Sequence, residues 1–364
     1  MGIDIAPRAN RWLDDLVAYK PGKHGGPGQA NVVRLSSNEA ALGPSPKAID
    51  AARAAVGDMH RYADGPATAL RAAIAAKHGL EAGRIICGTG SDEILQLCPV
   101  AYCVPGDEVL HSQYGFMVYA ISARRVGAVP IAIPEKDYTA DVDGILAAVT
   151  AKTRIVYLAN PNNPTGTRLP QSEVERLHAG LPSSVLLVLD GAYAEYIDDP
   201  DYDPGIALAQ AHDNVLMTRT FSKLYGLAGE RIGWGYGAPA IIDALNKIRG
   251  PFNVTTAGMA AAMASLDDDA WMAHARAENT RLRDWLFAAL GDMGLAPIPS
   301  HANFILTRFA SAEQAAAANQ ALIDQGIYVR HLPGMGLGDC LRIGIGTEAE
   351  VKAVAAALGS FLAS

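Results

Sequence analysis

Apolar residues along the chain fall into two kinds of run. Short ones rich in Val, Ile and Leu read as strands, and longer ones with apolar positions three or four apart read as helices. The pattern predicts strands at VVRLSS, Arg84–Cys87, Glu108–His111, Val129–Ile133, Arg154–Leu158, Val185–Leu189 and Asn214–Arg219. Between them it predicts helices at Glu93–Tyr102, Phe116–Val126, Val142–Ala148 and near Glu173–His178. Two more precede these: one capped by Ser45, with Pro46 at its first position and Gly57 at its end, and an alanine-rich one from Ala67 to His78. Strands of this kind, separated by helices, indicate an α/β fold: a mostly parallel sheet covered by helices on both faces. Ligands of such sheets bind beyond the carboxyl ends of the strands, so the chemistry is expected in the loops there.

After Gly250 the pattern changes. Thr255–Leu266 and Ala270–Leu290 read as helices, the second long enough to bridge two domains. Strands follow at NFILTRF, IYVR and CLRIGIG, with a helix opened by Ser311 and Gln314 as a capping box, and a last helix from Glu348. This mixture predicts a smaller α+β domain. The expected division is an N-terminal arm over residues 1–30, a large domain over 31–250 and a small C-terminal domain over 251–364. In the arm, Trp12, Leu13, Leu16 and Val17 form one apolar stripe ahead of the loop YKPGKHGGPGQ, a layout that docks on the body of the protein or on a partner subunit.

Composition narrows the classes. Half of the 364 residues are hydrophobic and 19% are charged, enough apolar material for a sizeable core. A net charge of -8 argues against non-specific binding to nucleic acid or to an anionic membrane. The 4 cysteines form no Cys-x-x-Cys pair, which fits reduced thiols in a cytoplasmic protein, and the 9 histidines show no metal-ligand spacing. The opening MGIDIAPRANRWLDDL does not read as a signal peptide, and no apolar run approaches bilayer length.

The stretch TFSKLYGLAGERIG, Thr220 to Gly233, carries the central chemistry. Lys223 follows a strand end, where an amine can join a carbonyl cofactor and then carry a proton. Thr220, Ser222 and Arg231 suit a phosphate, and a cofactor with both groups is pyridoxal phosphate. Asp190 ends an apolar strand and must find a partner. That partner is either a protonated pyridine nitrogen, which keeps the ring an electron sink, or a helix end or buried cation. Tyr193, three residues on, is within reach of the same ring. Asn163, in the irregular turn NPNNPTG, is a natural donor to a phenolate oxygen. GTGSDE opens a helix after a strand, so the amides of Ser91 and Asp92 suit a phosphate. It lacks the third glycine of a dinucleotide fingerprint, which counts against a dehydrogenase. Tyr114, in HSQYGF, either stacks on the cofactor or packs within its loop. Arg342 lies mid-strand among apolar residues and needs an anion, a carboxylate or a phosphate. Arg330 either converges on that anion or is a solvated strand end.

Taken together, NEAALGPSP, HRYADGPATALR, CGTGSDEIL, NPNNPTG, the Asp190–Tyr193 segment, TFSKLYGLAGERIG, RGPFNV, NFIL, GIYVR and LRIGIGT resemble the fold-type I pyridoxal-phosphate aminotransferases, over nearly the whole chain. The resemblance implies that Lys223 holds the cofactor covalently, Asp190 pairs with its ring nitrogen, Asn163 and Tyr193 bond its ring oxygen, and Tyr114 stacks on it. It implies a phosphate site of Ser91, Asp92, Thr220, Ser222 and Arg231, with Tyr62 reaching in from a second subunit, and a substrate-anion site of Tyr19, Arg330 and Arg342. A homodimer with shared active sites and small-molecule amine and 2-oxo acid substrates follows. The branch resembled most acts on L-histidinol phosphate with 2-oxoglutarate, giving imidazole-acetol phosphate and L-glutamate. Aromatic amino-acid transamination and threonine-phosphate decarboxylation remain open at this point. A non-catalytic binding module on the same scaffold would lack the lysine or the aspartate, and both are present. Two positions depart from the family pattern: Gly191 stands where a glutamate is usual, and Glu230 where an apolar residue is usual.

Overall fold

The computed structural model describes residues 7–14, 16, 22, 25 and 32–363. In chain order, β1 (Val33–Arg34) leads to α1 (Pro46–Ala55) and α2 (Thr68–His78). Next come β2 (Ile85–Thr89), α3 (Gly90–Tyr102), β3 (Glu108–Ser112), α4 (Val118–Arg125), β4 (Val129–Ile133), α5 (Val142–Ala147), β5 (Thr153–Ala159) and α6 (Gln171–Gly180). These are followed by β6 (Leu186–Asp190), α7 (Ile206–Ala211), β7 (Val215–Thr220), β8 (Ile232–Gly237) and α8 (Pro239–Ile248). The remainder is α9 (Thr256–Leu266), α10 (Asp269–Asp292), β9 (Ala296–Pro297), β10 (Phe304–Arg308), α11 (Ala312–Asp324), β11 (Ile327–Tyr328), β12 (Arg330–Leu332), β13 (Leu337–Gly344) and α12 (Glu348–Leu362).

Seven strands form one sheet in the order β2-β8-β7-β6-β5-β3-β4. All its pairings are parallel except those of β8, which runs antiparallel to both β2 and β7. The sequence pattern misses β8. Its run IGWGYG alternates glycine with large residues, yet all six positions are buried. Successive strand residues feed opposite cores, as strand geometry requires. Leu187, Leu189, Val215 and Met217 enter one cluster with α1, α2 and α9, while Leu186, Val188 and Leu216 enter another with α3, α4 and α8. Both faces of the sheet are therefore covered.

A second, antiparallel sheet has the order β12-β13-β10-β9 and packs with α11 and α12 around a separate core. Two stretches cross the expected boundary. β1 pairs with β11, and Leu35 lies in the second core. In the other direction, α9 packs on α1 and α2, and its Met259 and Leu266 lie in the first core. The long α10 does bridge: Met272 and Ala275 belong to the first core, and Leu282, Leu286 and Leu290 to the second. Ser45 caps α1 by accepting from the Lys47 amide at 3.1 Å. The box expected at α11 is half made, because Gln314 turns its carbonyl to the Ala310 amide (3.0 Å) instead of that of Ser311. Among the described residues, no helix is long and apolar enough to cross a membrane.

Candidate active site

Beyond the carboxyl ends of β2, β5, β6 and β7, the strands that end at Thr89, Ala159, Asp190 and Thr220, opens a cavity of about 430 Å³. The parallel strands bring their following loops to one edge of the sheet, so residues far apart in sequence meet there. Ser91, Asp92, Asn163, Asp190, Tyr193, Thr220, Ser222, Lys223, Arg231, Arg330 and Arg342 all line it.

Lys223 lies just past β7. Its Nζ donates to the carbonyls of Ser37 (3.2 Å) and Asn38 (3.3 Å) and sits 5.8 Å from the centroid of the Tyr193 ring. Burial, and then the charge of Arg342, lower this amine to about 8. Only a neutral amine attacks an aldehyde. Capture of an aldehyde cofactor by the cofactor-free protein should therefore accelerate as pH rises towards 8 and level off above it. Stopped-flow absorbance checks this, and a rate still climbing towards the ordinary lysine value of 10.5 would contradict it.

Asp190 ends β6 and is 5% exposed. One carboxylate oxygen accepts from the Tyr119 hydroxyl at 2.6 Å; the other accepts from the Ala192 amide at 3.2 Å and faces the Thr218 hydroxyl at 3.5 Å. Burial pushes its pKa up, and these donors oppose that push, Tyr119 foremost. Tyr193 accepts from Asn38 Nδ2 at 3.0 Å, and its ring meets Phe304 edge-on.

An anion cradle forms where α3 begins. Gly90 has φ +77°, and a Cβ there would lie 2.8 Å from Arg231 Nη2. A Cβ on Gly233 would overlap the amide nitrogen of Ser91. Glycine at both positions lets the first turn of α3, the start of β8 and Arg231 close on one another. Arg231, itself left-handed at φ +55°, donates to Ser222 Oγ at 3.3 Å and to the Ala228 carbonyl at 3.0 Å. Helix amides, the hydroxyls of Thr220 and Ser222 and one guanidinium therefore face the same space. Asp92 takes the Gln96 amide at 2.6 Å; its other oxygen is buried without a partner, and burial raises its pKa.

A second cationic group comes from the small sheet. Arg330 and Arg342 are directly paired residues on β12 and β13, so both side chains stand on one face. Arg342 Nη1 donates to Asn163 Oδ1 at 2.5 Å and Nη2 to the Ser36 carbonyl at 2.7 Å.

Among the described residues, Tyr114 does not line this cavity, and neither does Tyr62, which was expected from a second subunit. Tyr114 stacks instead on Tyr138, with ring centroids 6.0 Å apart, beside Leu306, Leu332, Leu337 and Cys340; the ring that this segment presents to the cavity is Phe116. The loop turns between the two positions and sends Tyr114 towards the small sheet. Tyr62 is 84% exposed and stacks on Phe252, away from the cavity of its own chain. Tyr19 lies outside the described residues. Conversely, sequence reading missed Tyr119, Phe116, Gln96 and the Ser36–Asn38 turn, in which Asn38 has φ +56°.

The model of the class I and II aminotransferases matches residues 30–358. The chain belongs to that family. It is 56% identical over 97% of its length to a histidinol-phosphate aminotransferase of Erythrobacter litoralis, covering 96% of that protein, and 52% identical over 95% to one of Ruegeria pomeroyi, covering 96%. Among solved structures it is similar to the histidinol-phosphate aminotransferase of Sinorhizobium meliloti in complex with pyridoxal-5'-phosphate, with a TM-score of 0.90, 32% identity and 99% of each chain covered.

Aminotransferases of this class depend on pyridoxal phosphate, and the residues present fit it. An amine poised to react with the aldehyde, a buried carboxylate for the ring nitrogen, and a glycine-lined anion cradle face one space. The two departures leave that set intact. Gly191 donates its amide to the Thr218 carbonyl at 2.9 Å, which ties the Asp190 segment to β7. Glu230 is not among the residues lining the cavity, although its neighbour Arg231 is.

Proposed function

We propose that this aminotransferase moves the amino group of L-histidinol phosphate to 2-oxoglutarate, giving imidazole-acetol phosphate and L-glutamate, as a step of histidine biosynthesis. The observation that carries the substrate class is the facing pair Arg330 and Arg342. Like charges directly opposite on adjacent strands repel, so an anion shared between them relieves the repulsion. A guanidinium pair accepts both a phosphate and a carboxylate, which suits one site that takes each substrate in turn. The names of the relatives, at 50–56% identity, support histidinol phosphate as the amine donor.

Lys223 would hold pyridoxal phosphate, Ser91, Asp92, Thr220, Ser222 and Arg231 would take its phosphate, Asp190 would pair with its ring nitrogen, and Asn163 and Tyr193 would bond its ring oxygen. When bound, it supplies an electron sink for the charge left on the substrate carbon. Lys223 would take the proton from that carbon and return it as the amino group is transferred. Its lowered pKa leaves a workable share of neutral amine near pH 7. Asp190 would keep the ring nitrogen protonated, Arg330 and Arg342 would fix the substrate's anion beside Lys223, and Tyr19 is the further residue expected to bind that anion.

The protein works as a cytoplasmic homodimer. Val56, Met59, Tyr62, Ile248 and Phe252 are all exposed, apolar surface that suits burial by a second copy. From there Tyr62 would serve the phosphate site of the other subunit. Initial rates with histidinol phosphate, phenylalanine, tyrosine and threonine phosphate test the substrate. Histidinol phosphate should give the highest kcat/KM, and a preference for phenylalanine would replace this reading with an aromatic aminotransferase.

A further inference from the structure

The Tyr119 hydroxyl is committed to Asp190, not to solvent or to the backbone. Tyr119 is 1% exposed, and its ring lies flat on that of Tyr157, with centroids 4.5 Å apart and planes 5° apart. Phe116 packs on it edge-on at 5.9 Å. Tyr157 is itself anchored, donating to the Leu95 carbonyl at 2.7 Å. The phenol is therefore held in one orientation by two rings, with its O–H donated to a carboxylate that lines the cavity.

We propose that Tyr119 is a positioning residue that, by donating to Asp190 Oδ2, keeps this carboxylate charged and so keeps the shared proton on the cofactor's ring nitrogen. The inference rests on the pyridoxal-phosphate reading given above. A buried carboxylate is pulled towards its neutral form, and a hydrogen bond to the charged form resists that pull. Burial is the largest influence on Asp190, and the Tyr119 bond is the largest one opposing it. Without the bond, the proton between Asp190 and the ring nitrogen moves to Asp190. The ring is then neutral and a weaker electron sink, although every group that touches substrate is still in place. The Ala192 amide and Thr218 hydroxyl, at 3.2 and 3.5 Å, are longer bonds to the other oxygen and do not replace it.

The test compares holoenzyme of the wild type, Tyr119→Phe and Tyr157→Phe, each loaded with cofactor labelled with nitrogen-15 in the ring. Tyr119→Phe keeps the ring stack and removes one oxygen. Its nitrogen-15 resonance should move from the protonated-pyridine position towards the neutral one, and kcat should fall about tenfold, the size expected for one hydrogen bond to a charged group, with KM little changed. Tyr157→Phe removes a neighbouring hydroxyl from the same stack and should leave the resonance at its wild-type position. An unmoved resonance in folded Tyr119→Phe, or an equal displacement in Tyr157→Phe, would overturn the proposal. Failure of the wild type to take up the cofactor would instead sink the functional reading itself.

Discussion

Replacing Lys223 with alanine should lower turnover by at least about four orders of magnitude, since a positioned proton carrier alone is worth up to about 10⁴-fold and the covalent hold on the cofactor is lost with it. The same substitution should abolish the visible absorbance of the lysine-bound cofactor and its bleaching by borohydride. Stability should move the other way. The amine is buried, is lowered to about 8 by that burial, and is held by two carbonyls at 3.2 and 3.3 Å. Removing it relieves a cost of folding, so the melting temperature should hold or rise while activity vanishes. Single-turnover kinetics and calorimetry on one preparation check both halves. A variant with substantial turnover would remove Lys223 from its role, whatever its stability.

Much of the site was legible because its residues follow strand ends, and strand ends show in the apolar pattern. Asp190 closes LLVLD and Lys223 lies just past VLMTRT, so one rule about parallel sheets places both at the same edge. What stayed hidden depends on the path of a loop or the register of a helix. Tyr114 and Phe116 are two residues apart in one turn, and only the turn's geometry decides that Phe116 faces the cavity. Tyr119 is one of several apolar residues in the first turns of α4; nothing in its spacing marks it as the partner of Asp190. The strand β8 was hidden because its glycines argue for a turn. The structure gives the reason for one of them: Gly233 lies against the amide of Ser91, where a side chain would push the start of α3 away from Arg231. The boundary between cores was misleading for a related reason. The change of pattern after Gly250 suggests a domain change, yet α9 beyond it returns to pack on α1.

Changing Asp190 to asparagine should lower kcat by about 10³-fold with little loss of folded protein. The amide matches the carboxylate in shape, can still accept from the Ala192 amide, and can turn its own N–H to the Tyr119 oxygen. What it cannot do is carry a negative charge. Breaking a buried, hydrogen-bonded charge pair by removing one partner costs about 3–5 kcal/mol, and most of that appears here as lost stabilisation of the cationic ring. The pH profile identifies the cause. In the wild type Asp190 retains the ring proton across neutral pH, so kcat should follow the Lys223 amine alone, rising towards pH 8 and staying level above it. In Asp190→Asn the ring nitrogen holds its proton only as firmly as an uncharged neighbour allows. Activity should then fall as pH rises above about 8, where the wild type stays level, because the ring loses its proton while the Lys223 amine is already neutral. A uniform loss with an unchanged profile would point to misplacement of the cofactor instead of to charge. An unchanged kcat would remove Asp190 from the mechanism, and with it the role inferred for Tyr119.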